Sequence, residues 1–367
     1  MATTYLTRTS GTPTNALKWT FSAWVKIASI PNDTFLLDFY TDGNNRSQIG
    51  FQNSDKSIIV YEKVSGSTSQ LFQTTRIFKD NSAWYNIVVS CDRTLATAAD
   101  RTKVYINGVQ ETSFSTTPDY PAQNTNGIIN TAVGTLIGKY SDGALYFNGS
   151  MSHVHFVDGT AYTPTSFGEV DATSGIWKAK SSPSVTYGTN GFFLKMENSG
   201  AMGTDSSGNS NTFTVSGTLT QNVDTPDNNF ATWNPLVAQG DTFTNGNTTV
   251  ARSASSFRSA FSTIALPSTG KFYCEFKRGS GNLVYLGIAD DKEGGCVDLQ
   301  NRGQESQVGA NANSVSYLAS DGRSTINNTA DTSYGASFSS SNVIGMAIDM
   351  TNMKLYFSKD GVFQNSG

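Results

Sequence analysis

No stretch of this chain sustains an apolar period of 3.6, whereas alternation at period two recurs along most of it, so strands are its expected building element. Trp19–Ile27 is the clearest case. Trp19, Phe21, Ala23, Val25 and Ile27 alternate with Thr20, Ser22, Trp24 and Lys26, the pattern of a strand with one buried face. The same signal predicts strands at Thr34–Tyr40, Gln48–Gln52, Ser57–Glu62, Trp84–Cys91, Lys103–Ile106, Thr135–Ile137 and Ser150–Val157. Turn clusters separate them, at Thr41–Asn45, Ser65–Ser67, Asn107-Gly108, Ser141–Gly143 and Asp158-Gly159. Asn-Gly and Asp-Gly supply the positive φ that tight hairpins require. Short strands with regular turns predict an all-β sandwich or jelly roll.

At 367 residues, about two domains are expected. Residues 1–216 read as the first. Residues 217–241 read as a polar linker, with Phe230, Trp233 and Leu236 pinning it. Residues 242–367 read as a second β domain, with strands expected at Lys271–Phe276, Val284–Ile288, Ser314–Leu318, Val343–Asp349 and Lys354–Ser358.

The formal net charge of −4 and the lack of basic clusters argue against nucleic acid. Cys91, Cys274 and Cys296 are widely spaced and odd in number, so they make neither a disulfide framework nor a zinc motif. Cys91 reads as a small buried hydrophobe. The N-terminus lacks the pattern of a secretory signal, and no apolar run is long enough for membrane insertion. Only 15% of residues are charged, an extracellular-looking composition without an export signal. A virion protein, made in the host cytoplasm and released on lysis, meets both conditions.

Several motifs resemble known families. Trp19–Lys26, Ser82–Ser90, Lys103–Val109, Leu136–Lys139 and Phe147–Val154 follow the order of laminin-G-like domains, which have the concanavalin A-like jelly-roll fold. In that family a phenylalanine-containing segment followed by Asp-x-Ser-Gly-Asn normally precedes the first core strand. Here its counterparts, Gly191–Lys195 and Thr204–Asn209, follow the last one. This implies a circular permutation in which residues 190–216 add strands beside the N-terminal strand. The second half resembles a SPRY domain in Lys271–Phe276, Tyr285–Ala289, Ile344–Met350 and Lys354–Val362. SPRY domains have further strands after this last hairpin, so either the sequence is a fragment or a partner completes the sheet. The pairing of modules, with the phrases Tyr162–Glu169 and Asp224–Leu236, resembles tail-fibre, capsid-fibre or appendage proteins of marine tailed phages.

Catalytic patterns are poorly represented. The nearest approach to a glucanase carboxylate motif is Glu169-Val-Asp171, without a third acid. His153 and His155, at i and i+2, share a face of one strand, and their context fits polar residues opposite Val154 and Phe156 better than a metal pair. Gly294-Gly295 precedes no helix, so it is no phosphate loop. The laminin-G resemblance implies calcium, with Asp205 and Asn209 as oxygen donors, although Ser152 stands where that family usually carries an acid. The competing reading is a turn that uses Asp and Gly for its geometry. Tyr40 with Asp42 and Asn44, and Tyr140 with Asp142, are the glycan-binding candidates, each readable also as a hairpin end.

These readings converge on a non-enzymatic virion structural protein. It is expected to be a homo-oligomer that binds other virion proteins and the host's surface polysaccharide. The alternative is a free lectin or carbohydrate-active enzyme on a concanavalin A-like fold.

Overall fold

The computed structural model describes residues 3–237, 241–251, 259–281, 283–289, 308–309, 313–327 and 329–367. Cys296 and the Gly294-Gly295 pair lie outside the described residues. The chain divides into two compact units, Met1–Thr232 with Phe243–Thr249, and Trp233–Thr242 with Val250–Gly367. The stretch 217–241 is therefore shared: its first part groups with one unit and the remainder with the other.

The first unit is a two-sheet sandwich. One antiparallel sheet has seven strands: β1 (Tyr5–Thr9), β3 (Thr34–Asp42), β4 (Asn45–Phe51), β5 (Ser57–Val64), β6 (Ser67–Ile77), β10 (Gly134–Ile137) and β15 (Thr214–Ser216). Their spatial order is β15-β1-β10-β3-β4-β5-β6. The other sheet has six: β2 (Lys18–Ile27), β7 (Trp84–Asp92), β8 (Thr102–Ile106), β9 (Val109–Gln110), β11 (Gly149–Asp158) and β14 (Phe192–Leu194), in the order β14-β11-β2-β7-β8-β9. A short hairpin, β12 (Gly168–Val170) and β13 (Trp177–Ala179), completes the set.

Period two builds the core. Trp19, Phe21, Ala23 and Val25 from β2 meet Leu37, Phe39, Ile49, Phe51, Val60 and Phe72 from the seven-stranded sheet. Each such side chain fully withdrawn from water contributes roughly 1.5–3 kcal/mol before conformational entropy is charged against it. Cys91 belongs to this core, and burial pushes its thiol up to about 11. A fully buried ion pair, Arg93 Nη2 to Glu62 Oε2 at 2.5 Å, also lies within the first unit. Burial alone would raise the Glu62 pKa. The Arg93 charge and hydrogen bonds from Arg93, Ile128 N and Ser47 Oγ outweigh that and hold it below its ordinary value.

The segment after residue 190 is integral to the sandwich. Phe192–Leu194 pairs with β11, and Thr214–Ser216 pairs with the N-terminal strand in the register Leu6 to Val215. Of the strands expected beside the N-terminal strand, Thr214–Ser216 takes that place, whereas Phe192–Leu194 lies at the edge of the other sheet.

Three details differ from the alternation-based expectation. The strand Ser67–Ile77 was not predicted, because its inward positions Gln70 and Thr74 are polar and only Phe72 is apolar. β2 is buried on both faces, since Thr20, Ser22, Trp24 and Lys26 on its polar side are covered as well. The i, i+2 reading of the histidines also fails in its simple form. His153 has φ +48°, and the β2–β11 register shifts between Ser152 and His155, so a bulge interrupts the alternation.

The second unit contains two four-stranded antiparallel sheets. One orders Lys271–Lys277, Val343–Asp349, Lys354–Lys359 and Val362–Phe363; the other orders Tyr285–Ala289, Ser314–Leu318, Arg323–Ile326 and Thr332–Ser333. Tyr317, Phe338, Ile344, Met346, Ile348 and Phe357 form its core. The buried Tyr317 hydroxyl donates to Ala336 O, so its polar end is satisfied.

Candidate functional site

The two outer faces of the sandwich differ in what covers them. On the six-stranded sheet, Trp24, Trp84, Trp177 and Ala179 form a satellite cluster. Trp177 comes from the β12–β13 hairpin and donates its indole N–H to Asn86 Oδ1 at 3.0 Å. Beside it, the Lys26 ammonium donates to Asp224 Oδ2, Asn229 Oδ1 and Phe230 O at 2.6–2.8 Å. The phrase beginning at Asp224 is thus a strap bound to this face. The phrase Tyr162–Glu169 has a similar role, because Tyr162 N donates to Thr20 Oγ1 and Phe167 is buried against Val88 and Val157.

The outer face of the seven-stranded sheet carries a different set. In β3 the core takes Leu37 and Phe39, which leaves Asp38 and Tyr40 on the opposite face; Tyr40 pairs across the strands with Arg46. The Arg46 guanidinium lies 5.6 Å from the Tyr140 ring centroid and 5.9 Å from that of Tyr61, and it donates to the Tyr140 hydroxyl. Tyr140 also packs on Phe35, with centroids 5.3 Å apart. In a second cation–aromatic group, Lys139 Nζ lies 4.7 Å from the Tyr5 ring centroid and 5.7 Å from that of Tyr146.

Electrostatics tie the sequence candidates together. Desolvation and then the charges of Asp142, Tyr140 and Asp42 raise the Tyr40 pKa. Tyr40, Tyr140, Asp42 and Asp142 are therefore neighbours. Asp42 is mainly a turn-former, however: its Oδ1 accepts Asn44 N–H at 2.7 Å, and both its oxygens accept from Asn45 Nδ2. Asn44 sits at the hairpin tip, where its carbonyl accepts Gly66 N–H. Asp142 is exposed in the loop that Tyr140 begins.

Under this face lies Asp38, fully buried and not among the sequence candidates. Its Oδ2 accepts Ser141 N–H at 3.0 Å and Ser141 Oγ–H at 3.1 Å. Burial pushes its carboxyl up to about 6, against the pull of the Ser141 and Gln48 hydrogen bonds and of Arg46. Sequence reading also missed Arg46 and Tyr61. The available signal was positional: Asp38 and Tyr40 share a strand face at i and i+2, and so do Arg46 and Gln48.

The calcium candidates lie together in one loop. Asp205 Oδ1 accepts Phe193 N–H and Ser207 N–H, while Oδ2 accepts Ser207 Oγ–H and Asn211 N–H, all at 2.8–2.9 Å. Asn209 Nδ2 donates to Gly188 O and Gly191 O. Protein donors thus occupy the carboxylate directions that a hard cation would need. Among the described residues, no group of three or more His, Cys, Asp or Glu side chains could hold a metal ion. Of the two histidines, His155 is buried, with Nδ1 2.9 Å from Tyr187 Oη and its ring stacked on Phe193 at 3.9 Å.

The carboxylates of the nearest glucanase-like motif are on the exposed hairpin. Glu169 pairs with Lys178 in the β12–β13 register, and Lys178 Nζ lies 3.6 Å from Glu169 and 3.2 Å from Asp171. Hydrogen bonds from Ser174, Lys178 and Thr173 hold the Asp171 carboxyl far below its usual range, which leaves it no proton to donate near neutrality.

Comparison with known proteins agrees with the fold. A family model described as the concanavalin A-like lectin/glucanases superfamily matches residues 2–166. No curated protein matches the chain significantly. Among solved structures, a heptameric pentraxin from Limulus polyphemus shares 17% identity over 44% of this chain and 72% of its own, with TM-score 0.33. A Bacteroides ovatus protein assigned to carbohydrate binding shares 15% over 59% of this chain and 58% of its own, with TM-score 0.40. The tailspike protein 2 of bacteriophage CBA120 shares 11% over 44% of this chain and 25% of its own, with TM-score 0.31. The chain thus spans little more than half of the second structure and a quarter of the third. The first unit is a concanavalin A-like jelly roll.

Proposed function

We propose that the first unit binds glycans on the outer face of its seven-stranded sheet, and that the chain is a structural subunit of a phage appendage. The observation that carries the glycan reading is the convergence of Tyr40, Tyr61, Tyr140 and Arg46, from three strands and the loop after β10, onto one half-buried face. Aromatic rings can stack on the apolar faces of sugars. Arg46 and Asp142 supply polar groups for hydroxyls.

The chain acts by binding rather than by hydrolysis. Support comes from the Glu169 and Asp171 carboxylates, which stand on an exposed hairpin around one lysine instead of flanking a substrate cleft. The second unit is read as SPRY-like, on its motif order and on the hairpin that turns at Asp360-Gly361. The virion role rests on the sequence resemblance of Tyr162–Glu169 and Asp224–Leu236, both of which also have packing roles in the first unit.

A glycan array on the intact chain tests the binding reading, with Tyr40→Ala and Tyr140→Ala as controls. Retained binding by both variants would remove this face from consideration. Cryo-EM of particles tests the appendage reading, since a stoichiometric subunit leaves repeated density. Release of reducing ends from any bound oligosaccharide would favour the enzyme alternative.

A further inference from the structure

We infer that a cavity in the second unit receives an oxyanion carried on a hydroxylated ligand, the chemistry of an acidic sugar such as a uronate. The cavity has a volume of about 420 Å³ and is lined by Arg278, Ala319, Ser320, Ser337, Phe338, Ser339, Asn342 and Lys359. It is independent of the glycan face proposed for the first unit.

Strand ends create it. Arg278 directly follows the strand Lys271–Lys277, whose last residue pairs with Val343. Lys359 ends its own strand opposite Ile344. The Phe338 N–H donates to Ala319 O at 2.9 Å, which draws the 319–320 and 337–339 segments together. Two cations from separate strands thus reach one opening.

Charge selects the ligand class. Among the described residues the lining holds an arginine and a lysine and no carboxylate, in a chain whose net charge is −4. Arg278 Nε is shut off from solvent without a hydrogen-bond partner, so a ligand in the cavity is met by the Nη groups of the guanidinium. Lys359 Nζ donates to Ser337 O at 2.7 Å and has two further N–H groups. The nearby Asp360 carboxylate is already engaged by Val343 N–H and Asn342 Nδ2, at 2.9 and 2.6 Å. A guanidinium fork backed by an ammonium is a fitting receptor for a carboxylate or sulfate.

Size and composition extend the inference beyond a bare ion. The opening is broad, and one small oxyanion would occupy only part of it. Ser320 and Ser337 are polar members of the lining, and Phe338 and Ala319 are apolar ones. That mixture matches a sugar ring better than an inorganic ion.

The test is calorimetric or NMR titration of the full chain with glucuronate, glucose and sulfate at constant ionic strength. Glucuronate should saturate, and glucose should leave the resonances of this cavity unmoved. Arg278→Gln should weaken glucuronate at least about tenfold, as expected for a lost charge-assisted pair. Lys359→Gln should weaken it by a smaller factor. Ser320→Ala with Ser337→Ala should weaken glucuronate while leaving sulfate unchanged. Should Arg278→Gln fail to fold, Arg278→Lys retains the charge without the fork and should still lose affinity. Unchanged glucuronate affinity in a folded Arg278 variant, or equal binding of glucose, overturns the site. Sulfate binding as tightly as glucuronate overturns the hydroxylated-ligand assignment.

Discussion

Lys26 Nζ lies 2.6 Å from Asp224 Oδ2, and the two side chains, 198 positions apart in the chain, keep only 5% and 9% of their exposure. Asp224 Oδ1 also accepts the Trp84 indole N–H at 2.8 Å. This carboxylate therefore fastens the strap to both β2 and β7. Asp224→Ala leaves a buried ammonium without its counter-charge and a buried indole donor without its acceptor. It should lower the stability of the first unit by about 3–5 kcal/mol. Denaturant unfolding followed by tryptophan fluorescence measures this, since Trp19, Trp24, Trp84 and Trp177 all lie in that unit. A change below about 1 kcal/mol would show that the strap contributes little.

Asp38 should make the first unit less stable as pH rises. Burial lifts its folded-state value to about 6, above the ordinary carboxylate value expected in the unfolded chain. The native state therefore holds a proton that the unfolded chain has released. Its contribution is complete below about pH 4 and is lost as pH rises through about 6. Asp38→Asn removes this slope, so the variant should gain up to about 3 kcal/mol on wild type between pH 4 and pH 7. Parallel stability profiles for the two proteins would refute the assignment.

His155 acts with the opposite sign. Burial, and then the neighbouring His153, push its value well below that of a free imidazole. The native state holds it neutral, while the unfolded chain protonates near pH 6.5. Stability from this group is complete above that pH and falls as pH drops below it. His155→Phe, against Phe193 and Phe167, should flatten the acid limb of the stability profile. An unchanged acid limb would assign the loss to other groups.

Removal of divalent cations should leave the first unit intact. The Asp205 carboxylate already accepts four protein donors. Its replacement by alanine should cost about 3 kcal/mol or more, because three backbone N–H groups lose their acceptor. Excess chelator should leave the melting temperature of wild type unchanged. A chelator-induced drop that calcium reverses would return the loop to the metal sites.

The strands were legible wherever alternation in hydrophobicity was strong. Val343–Asp349 and Ser314–Leu318 match the expected ranges, and β2, β7 and β11 differ from them only at the ends. Ser67–Ile77 was hidden because its buried positions include Gln70 and Thr74, polar residues that find partners on other strands. Gln70 Oε1 accepts from Thr102 Oγ1 and Thr74 Oγ1 accepts from Ile58 N. The candidate face was half legible. Tyr40 and Tyr140 stood out as aromatics near turns, whereas Asp38 looked like one more polar residue of a strand.

The sequence by itself determined that this chain is built from strands and where most of them run, and its motifs resemble those of a concanavalin A-like jelly roll. Those properties follow from period-two patterning, turn residues and motif order, all of which are local or sequential. Only the tertiary structure decided which polar residues are buried and what they face. Asp38 meets Ser141 across 103 positions, and Arg46 meets Tyr140 across 94. Burial, cation–aromatic contact and the pKa of a carboxylate depend on distances in space, and a linear pattern carries none of them.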